Sequence, residues 1–327
     1  MGREPVAERA APGGRPRPPG AALGFVAVAV LGVAVALLVA TTSATERKSP
    51  VRLDGARALR HVERLVALGP RPAGSPAAER ARQYIVTELK RAGVEARTQA
   101  FDADTPHGRL RMANVIGVLP GARPDVVMVA GHYDTKWFRE FVFVGANDGG
   151  SSAALLLELA RVLATRARQF THWIVFLDGE EARETWTDTD SLYGSRRLAA
   201  DLVRTGTLPR ALVVVDMIGD RDLAIRRESG STPWLTDLVW SVARRLRYER
   251  HFLPDALSVE DDHMPFVRAG VPATLLIDFD YPPWHTAADT LDKVSADSLR
   301  VVGEVVLDAL PEIEDRLARG QGGSPRR

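Results

Sequence analysis

The chain has no cysteine among its 327 residues. That excludes disulfides and thiolate metal sites, so any zinc would have to be held by His, Asp and Glu. Net charge is nearly absent as well: 43 Lys and Arg against 42 Asp and Glu leave +1. A balance this even gives no basic footprint for nucleic acid and no bias toward an acidic partner. No Gly-rich phosphate-binding motif follows any expected strand, so a nucleotide site is not supported. No internal repeat is visible. What remains is ordinary globular material, 45% hydrophobic and 26% charged, enough to bury a proper core in one large domain or two small ones.

Long apolar runs are confined to one place. Residues 1–20 are rich in Pro, Gly, Ala and Arg and read as a disordered cytoplasmic tail. Ala21 to Ala40 then carries no charged side chain. At about 1.5 Å per residue such a helix spans roughly 30 Å, the thickness of a bilayer core. A transmembrane anchor is therefore expected over 21–42. Arg3, Arg9, Arg15 and Arg17 precede it, which predicts a cytoplasmic N-terminus and an extracytoplasmic remainder, although Arg47, Lys48 and Arg52 weaken the asymmetry. The alternative is a cleaved signal peptide, with Ser43 and Ala44 near the cut and a secreted product. The closing residues, 318–327, read as a second disordered tail.

Between these ends, over 50–317, helical and strand patterns alternate. Helices are expected at Asp54–Leu68, Ala77–Ala92, Ser152–Arg166, Ser191–Thr205, Pro233–Leu246, around Met264–Arg268, and at Ala296–Leu317. Strands are expected at Val94–Phe101, Arg111–Val118, Asp125–Ala130, Trp173–Leu177, Ala211–Val215 and Ala273–Ile277. The fold class is α/β: a single globular domain with a central twisted, mixed and largely parallel sheet flanked by helices.

In such sheets, sites gather beyond the carboxyl ends of the strands. There the chain reads His132-Tyr133-Asp134, Asp178-Gly179-Glu180-Glu181, Asp216-Met217, and Trp284-His285-Thr286. Asp148 lies just ahead of the Ser152 helix. Singly each has a bland reading: a hydrogen-bonded His, a helix cap at Asp148, a solvated acid pair. Together they are a set of metal-capable groups at successive strand ends. Glu180 and Glu181, being adjacent, point apart, so one can bind a metal while the other stays free as a general acid–base. Asp134 is placed to accept the second N–H of His132.

These motifs resemble the co-catalytic zinc aminopeptidases and, within that superfamily, the glutaminyl-peptide cyclotransferases, over about residues 55–312. Three segments lean toward the cyclotransferases: Asp178 to Ala182 with Trp186 and Asp190 to Arg196; Glu260 to Phe266 with Gly270-Val271-Pro272; and Tyr281 to Thr286. The resemblance implies a zinc aminopeptidase-like fold and one zinc ion on Asp148, Glu181 and His285. It also implies an acid–base at Glu180, a carboxylate network with Asp216 and Asp262, and pocket walls at Trp186 and Trp284. The substrate would be the N-terminus of a peptide or protein. The alternative is a two-zinc aminopeptidase, in which His132 and Asp216 join the metal set, Asp148 bridges and Glu180 activates water. A non-catalytic binding ectodomain is the third reading, disfavoured because every ligand-type position is filled. The segment Lys136–Val144 has no role readable from sequence.

Overall fold

Capping chemistry sets the first two helices. The Asp54 carboxylate accepts the Arg57 N–H at 3.0 Å and starts α1, Gly55–Val66. Ser75 does the same for Ala78 at 3.1 Å and starts α2, Pro76–Arg91, whose proline lies in the first turn where a missing N–H costs nothing. The computed structural model describes residues 52–321. The expected tail at 1–20 and anchor at 21–42 lie outside the described residues. Among the described residues no helix is long and apolar enough to cross a membrane.

Next come β1 (Glu95–Thr105) and β2 (Gly108–Leu119), an antiparallel hairpin in register from Thr105 opposite Gly108 to Glu95 opposite Val118. They are followed by β3 (Arg123–His132), α3 (Gly150–Leu163), β4 (Phe170–Leu177), α4 (Tyr193–Thr205) and β5 (Ala211–Asp216). The remainder is β6 (Ile225–Glu228), α5 (Pro233–Arg245), β7 (Phe252–Leu257), α6 (Met264–Arg268), β8 (Ala273–Ile277), a short 3-10 turn at Leu291–Lys293, and α7 (Ala296–Ala318). The expected tail from 318 thus begins on the last residue of α7, and 322–327 lie outside the described residues.

The main sheet runs β1-β2-β4-β3-β5-β8. Strands β4, β3, β5 and β8 are parallel, and the hairpin adds antiparallel strands at one edge. The sheet is mixed and largely parallel, as expected. Alternation along each strand divides the core. Val127, Val129, Ile174, Phe176, Val213 and Val215 join the apolar cluster that includes α1, α3, α5 and α7. Met128, Ala130, Val175, Leu177, Leu212 and Val214 face α4 and α6. Helix α3 is buried at every position except Arg161, which is why it lacks a clean polar face. The small parallel pair β6–β7 was not expected.

Chain order reverses around β3: the chain goes from β3 out to β4, then back past β3 to β5. The crevice between the carboxyl ends of β3 and β5 is therefore a topological switch point, the usual place for a site in an open α/β sheet.

Candidate active site

Each parallel strand delivers acids or a His as it ends. β3 stops on His132 and β5 on Asp216, neighbours across the switch point, with His132 Nε2 2.9 Å from Asp216 Oδ1. β4 leads through Asp178-Gly179 to Glu180 and Glu181, and β8 leads into the loop that carries Trp284 and His285. Asp148 arrives from the turn before α3, whose cap is Gly149 at φ +77°. A Cβ there would stand 2.3 Å from the Asp134 carbonyl oxygen and 3.1 Å from the His132 ring, so only glycine lets the helix start this close to β3.

Two groupings able to hold a metal ion result, and they share Asp148: His132, Asp148 and Asp216, and Asp148, Glu181 and His285. In the second, His285 Nε2 is 3.2 Å from Glu181 Oε1 and 3.4 Å from Asp148 Oδ2. Asp148 Oδ2 and Glu181 Oε2 are buried without a hydrogen-bond partner among the described residues. Buried carboxylate oxygens are rarely left so, and an ion is the partner that suits them. Lys136 Nζ, 3.8 Å from Glu181 Oε2, is held by the Ala182 carbonyl at 2.9 Å.

Glu180 and Glu181 diverge as expected. Glu181 meets His285, while Glu180 Oε2 lies 3.9 Å from His132 Nδ1 and its carboxylate faces the cavity. Burial, with Glu181, Asp261 and Asp262 nearby, pushes Glu180 well above the usual carboxylate range against the pull of His132. For His132, burial works against the proton, but Asp216 and Glu180 outweigh it and hold the ring well above its ordinary value. A cation bound beside them would draw the acids back down.

The cavity holds about 450 Å³ and is walled by Asp148, Glu180, Glu181, Asp216, Trp186, Trp284 and His285, with Asp261, Phe279 and Lys136. That is room for one side chain and the start of a peptide. Trp186 and Trp284 are 37% and 39% exposed, which places them on the wall rather than in the core. His132 is sealed behind the cavity.

Two expected partners sit differently. Asp134 Oδ1 is 3.6 Å from His132 Nδ1, too far to bond. Its carboxylate instead accepts the main-chain N–H groups of Glu180 and Glu181 at 3.1 and 3.4 Å, fixing the acid pair. Asp262 does not line the cavity; it is buried with both carboxylate oxygens unpartnered among the described residues, and its neighbour Asp261 takes the wall position. The acid pair sits ahead of α6, where the Met264 N–H bonds the Asp261 carbonyl at 2.8 Å and fixes which acid faces in.

Other contributors were invisible in sequence. Asp289 accepts the N–H groups of Asn147 and Asp148 at 2.8 and 3.1 Å, and the Tyr281 hydroxyl donates to it at 2.7 Å. The segment Lys136–Val144 supplies an aromatic collar: Phe138 and Phe143 lie 5.6 and 5.9 Å from the His285 ring, and Trp284 stacks on it at 4.2 Å. His285 needs such support because its φ of +54° is a costly conformation for a non-glycine residue.

The chain is similar to proteins of one known family. Residues 114–310 match the model of peptidase family M28. The glutaminyl-peptide cyclotransferase of Bos taurus is 31% identical over 275 residues, covering 71% of this chain and 76% of that protein. That of Gloydius blomhoffii is 33% identical over 276 residues, covering 71% and 75%. The crystal structure of an Acidobacteriales bacterium glutaminyl cyclase superposes with a TM-score of 0.79 at 40% identity, covering 84% of this chain and 99% of that one. The chain therefore belongs to peptidase family M28 and, within it, to the glutaminyl-peptide cyclotransferases.

Proposed function

We propose that this enzyme is a zinc-dependent glutaminyl-peptide cyclotransferase that converts the N-terminal glutamine of peptides or proteins to pyroglutamate and releases ammonia. The observation that carries the reading is the convergence of Asp148, Glu181 and His285 on the cavity wall, beside a further acid, Glu180, that faces the same cavity. Asp148, Glu181 and His285 would hold one zinc ion. Bound there, it supplies Lewis acidity toward the γ-carbonyl oxygen of the substrate glutamine.

The chain's own groups do the rest. Glu180 takes a proton from the substrate's α-amine as that nitrogen bonds to the γ-carbonyl carbon and closes a five-membered ring. The carbon–nitrogen bond to the side-chain amide then breaks, and Glu180 returns the proton to the departing ammonia. Asp134 keeps Glu180 aimed through its main-chain N–H. Asp261 and Asp216, both on the cavity wall, share the negative charge around it, with Asp262 buried behind them. Trp186 and Trp284 flank the glutamine side chain and exclude water. Because the nucleophile is tethered to its target, orientation supplies much of the acceleration and no activated water is needed.

A two-zinc aminopeptidase is the second reading, favoured by one observation: His132, Asp148 and Asp216 also form a metal-sized group. Against it, His132 is sealed from the cavity and already bonded to Asp216. Mass spectrometry of a Gln-initiated peptide incubated with the enzyme separates the two. Loss of one ammonia above the spontaneous rate, absent with Glu180→Gln, supports cyclisation, and release of a free amino acid would overturn it.

Membrane anchoring through residues 21–42, with the catalytic domain outside the cytoplasm, is proposed on the apolar run and the arginines before it. Secretion after signal cleavage is the alternative, and a fully soluble chain in cell fractionation would favour it.

A further inference from the structure

Gly69-Pro70-Arg71-Pro72 reads as a turn, yet the Arg71 side chain is completely buried. It is the only Lys or Arg in the buried class among the described residues. A guanidinium out of water is costly unless its donors are matched, and here they are matched by main-chain carbonyls. Nε donates to Tyr133 O at 3.1 Å. One terminal nitrogen donates to Val144 O at 2.7 Å, with longer contacts to Leu65 O and Gly69 O at 3.4 Å, and the other to Gly145 O at 2.9 Å. The Arg71 main chain is tied in both directions to Thr135, donating to its hydroxyl at 2.9 Å and accepting its N–H at 3.2 Å.

The segments joined in this way matter. Tyr133 lies between His132 and Asp134, and Val144-Gly145 immediately precede the turn that carries Asp148. From the opposite side Asp289 holds Asn147 and Asp148 by their N–H groups. The turn is thus gripped at both ends, by a cation on its carbonyls and an anion on its amides. Burial pulls the Arg71 guanidinium down to about 10, with Asp289, Asp134 and Asp148 opposing that pull, so it stays charged at neutral pH.

We propose that Arg71 is a positioning residue for the metal site: its planar fork fixes the exit of β3 and the 144–148 turn so that Asp148 meets Glu181 and His285. The inference rests on the metal-site reading given above. A buried cation has two opposite effects on a metal ion, which makes the claim decidable. As a charge alone it repels zinc, and its removal would tighten binding. As a clamp it pre-sets a ligand, and its loss weakens binding, by about 10–100-fold for residues that orient ligands. A lysine keeps the charge but cannot reproduce the fork.

The experiment is zinc affinity by chelator competition on the purified full-length chain, for wild type, Arg71→Lys and Arg71→Met, with thermal unfolding of each. The clamp predicts that both variants bind zinc about 10–100-fold more weakly than wild type, with activity of Arg71→Lys largely rescued by excess zinc. Should Arg71→Met not fold, Arg71→Lys decides alone. Unchanged affinity in Arg71→Lys with only a lowered Tm would reduce Arg71 to a fold staple and overturn the proposal, and so would tighter binding in Arg71→Met. If the wild-type chain itself bound no zinc, the metal-site reading would fall and take this inference with it; equal affinity in wild type and Arg71→Lys removes the inference alone.

Discussion

Two three-residue clusters share Asp148, and their surroundings differ more than their chemistry. The His285 cluster stands on the cavity wall, with the His285 side chain 23% exposed. The His132 cluster is closed over: the His132 side chain is 1% exposed, and Nε2 is bonded to Asp216. A catalytic metal needs an open position for substrate. In the function proposed above, access rather than donor identity separates the metal-and-substrate site from a neighbouring acid–imidazole network. The same set of residue types can therefore serve cyclisation with one ion or hydrolysis with two, and the cover over His132 favours the former.

Substitution breaks the comparison most sharply at His285. His285→Gln should abolish tight zinc binding and lower kcat/KM by more than the roughly 10²–10⁴-fold that loss of a general acid–base brings. Titration of the variant with a zinc indicator alongside initial rates checks this. Glu180→Gln should lose about 10²–10⁴-fold in kcat while its zinc content stays at the wild-type level; loss of zinc would show that Glu180 is a ligand. At the sealed cluster, His132→Asn should cost about 10–100-fold in activity, the range for groups that orient a site from behind. A collapse equal to that of His285→Gln would mean that the two clusters are equivalent.

A smaller effect is expected at the cavity wall. The Asp190 carboxylate accepts the N–H groups of Arg183, Glu184 and Thr185 at 2.7, 2.9 and 3.0 Å, and the Tyr193 hydroxyl at 2.8 Å. It thereby holds the loop that carries Trp186. Asp190→Ala should raise KM severalfold with kcat nearly kept, read from steady-state kinetics on a Gln-initiated peptide; an equal fall in kcat would place Trp186 in the chemistry.

The least effect on activity is expected at a histidine–carboxylate pair outside both clusters. Buried Glu228 lies 2.9 Å from His263 and accepts the Gly230 N–H and the Ser231 hydroxyl. Burial alone would raise its pKa, but His263 and these donors pull it from 4.5 to about 2. A depressed carboxylate stabilises the fold above pH 4.5, and that contribution is lost as the pH falls toward 2. It amounts to about 3 kcal/mol at most. Glu228→Gln should flatten the acid limb of the stability curve and leave cyclisation at neutral pH unchanged. An unaltered acid limb would refute the assignment.

Much of this was legible in the sequence, for a physical reason. The central strands are buried on both faces, so Val126–Ala130, Trp173–Leu177 and Ala211–Val215 stand out as apolar runs, and the histidine and acids that follow them mark the site. The β6 strand, Ile225-Arg226-Arg227-Glu228, has no such signature, because its pairing with β7 comes from tertiary placement. Arg71 and Asp289 were hidden for a related reason: both act on main-chain groups far along the chain, 74 and 142 residues away in their contacts with Gly145 and Asn147. The choice between Asp261 and Asp262 depends on how α6 begins, which adjacent identical residues cannot reveal.

The most direct test of the account is zinc stoichiometry by elemental analysis of the wild type, His285→Gln and His132→Asn after dialysis against trace zinc. One ion per chain in the wild type and in His132→Asn, with none in His285→Gln, is the predicted result. Two ions in the wild type, falling to one in His132→Asn, would contradict it and move the enzyme to the hydrolytic branch.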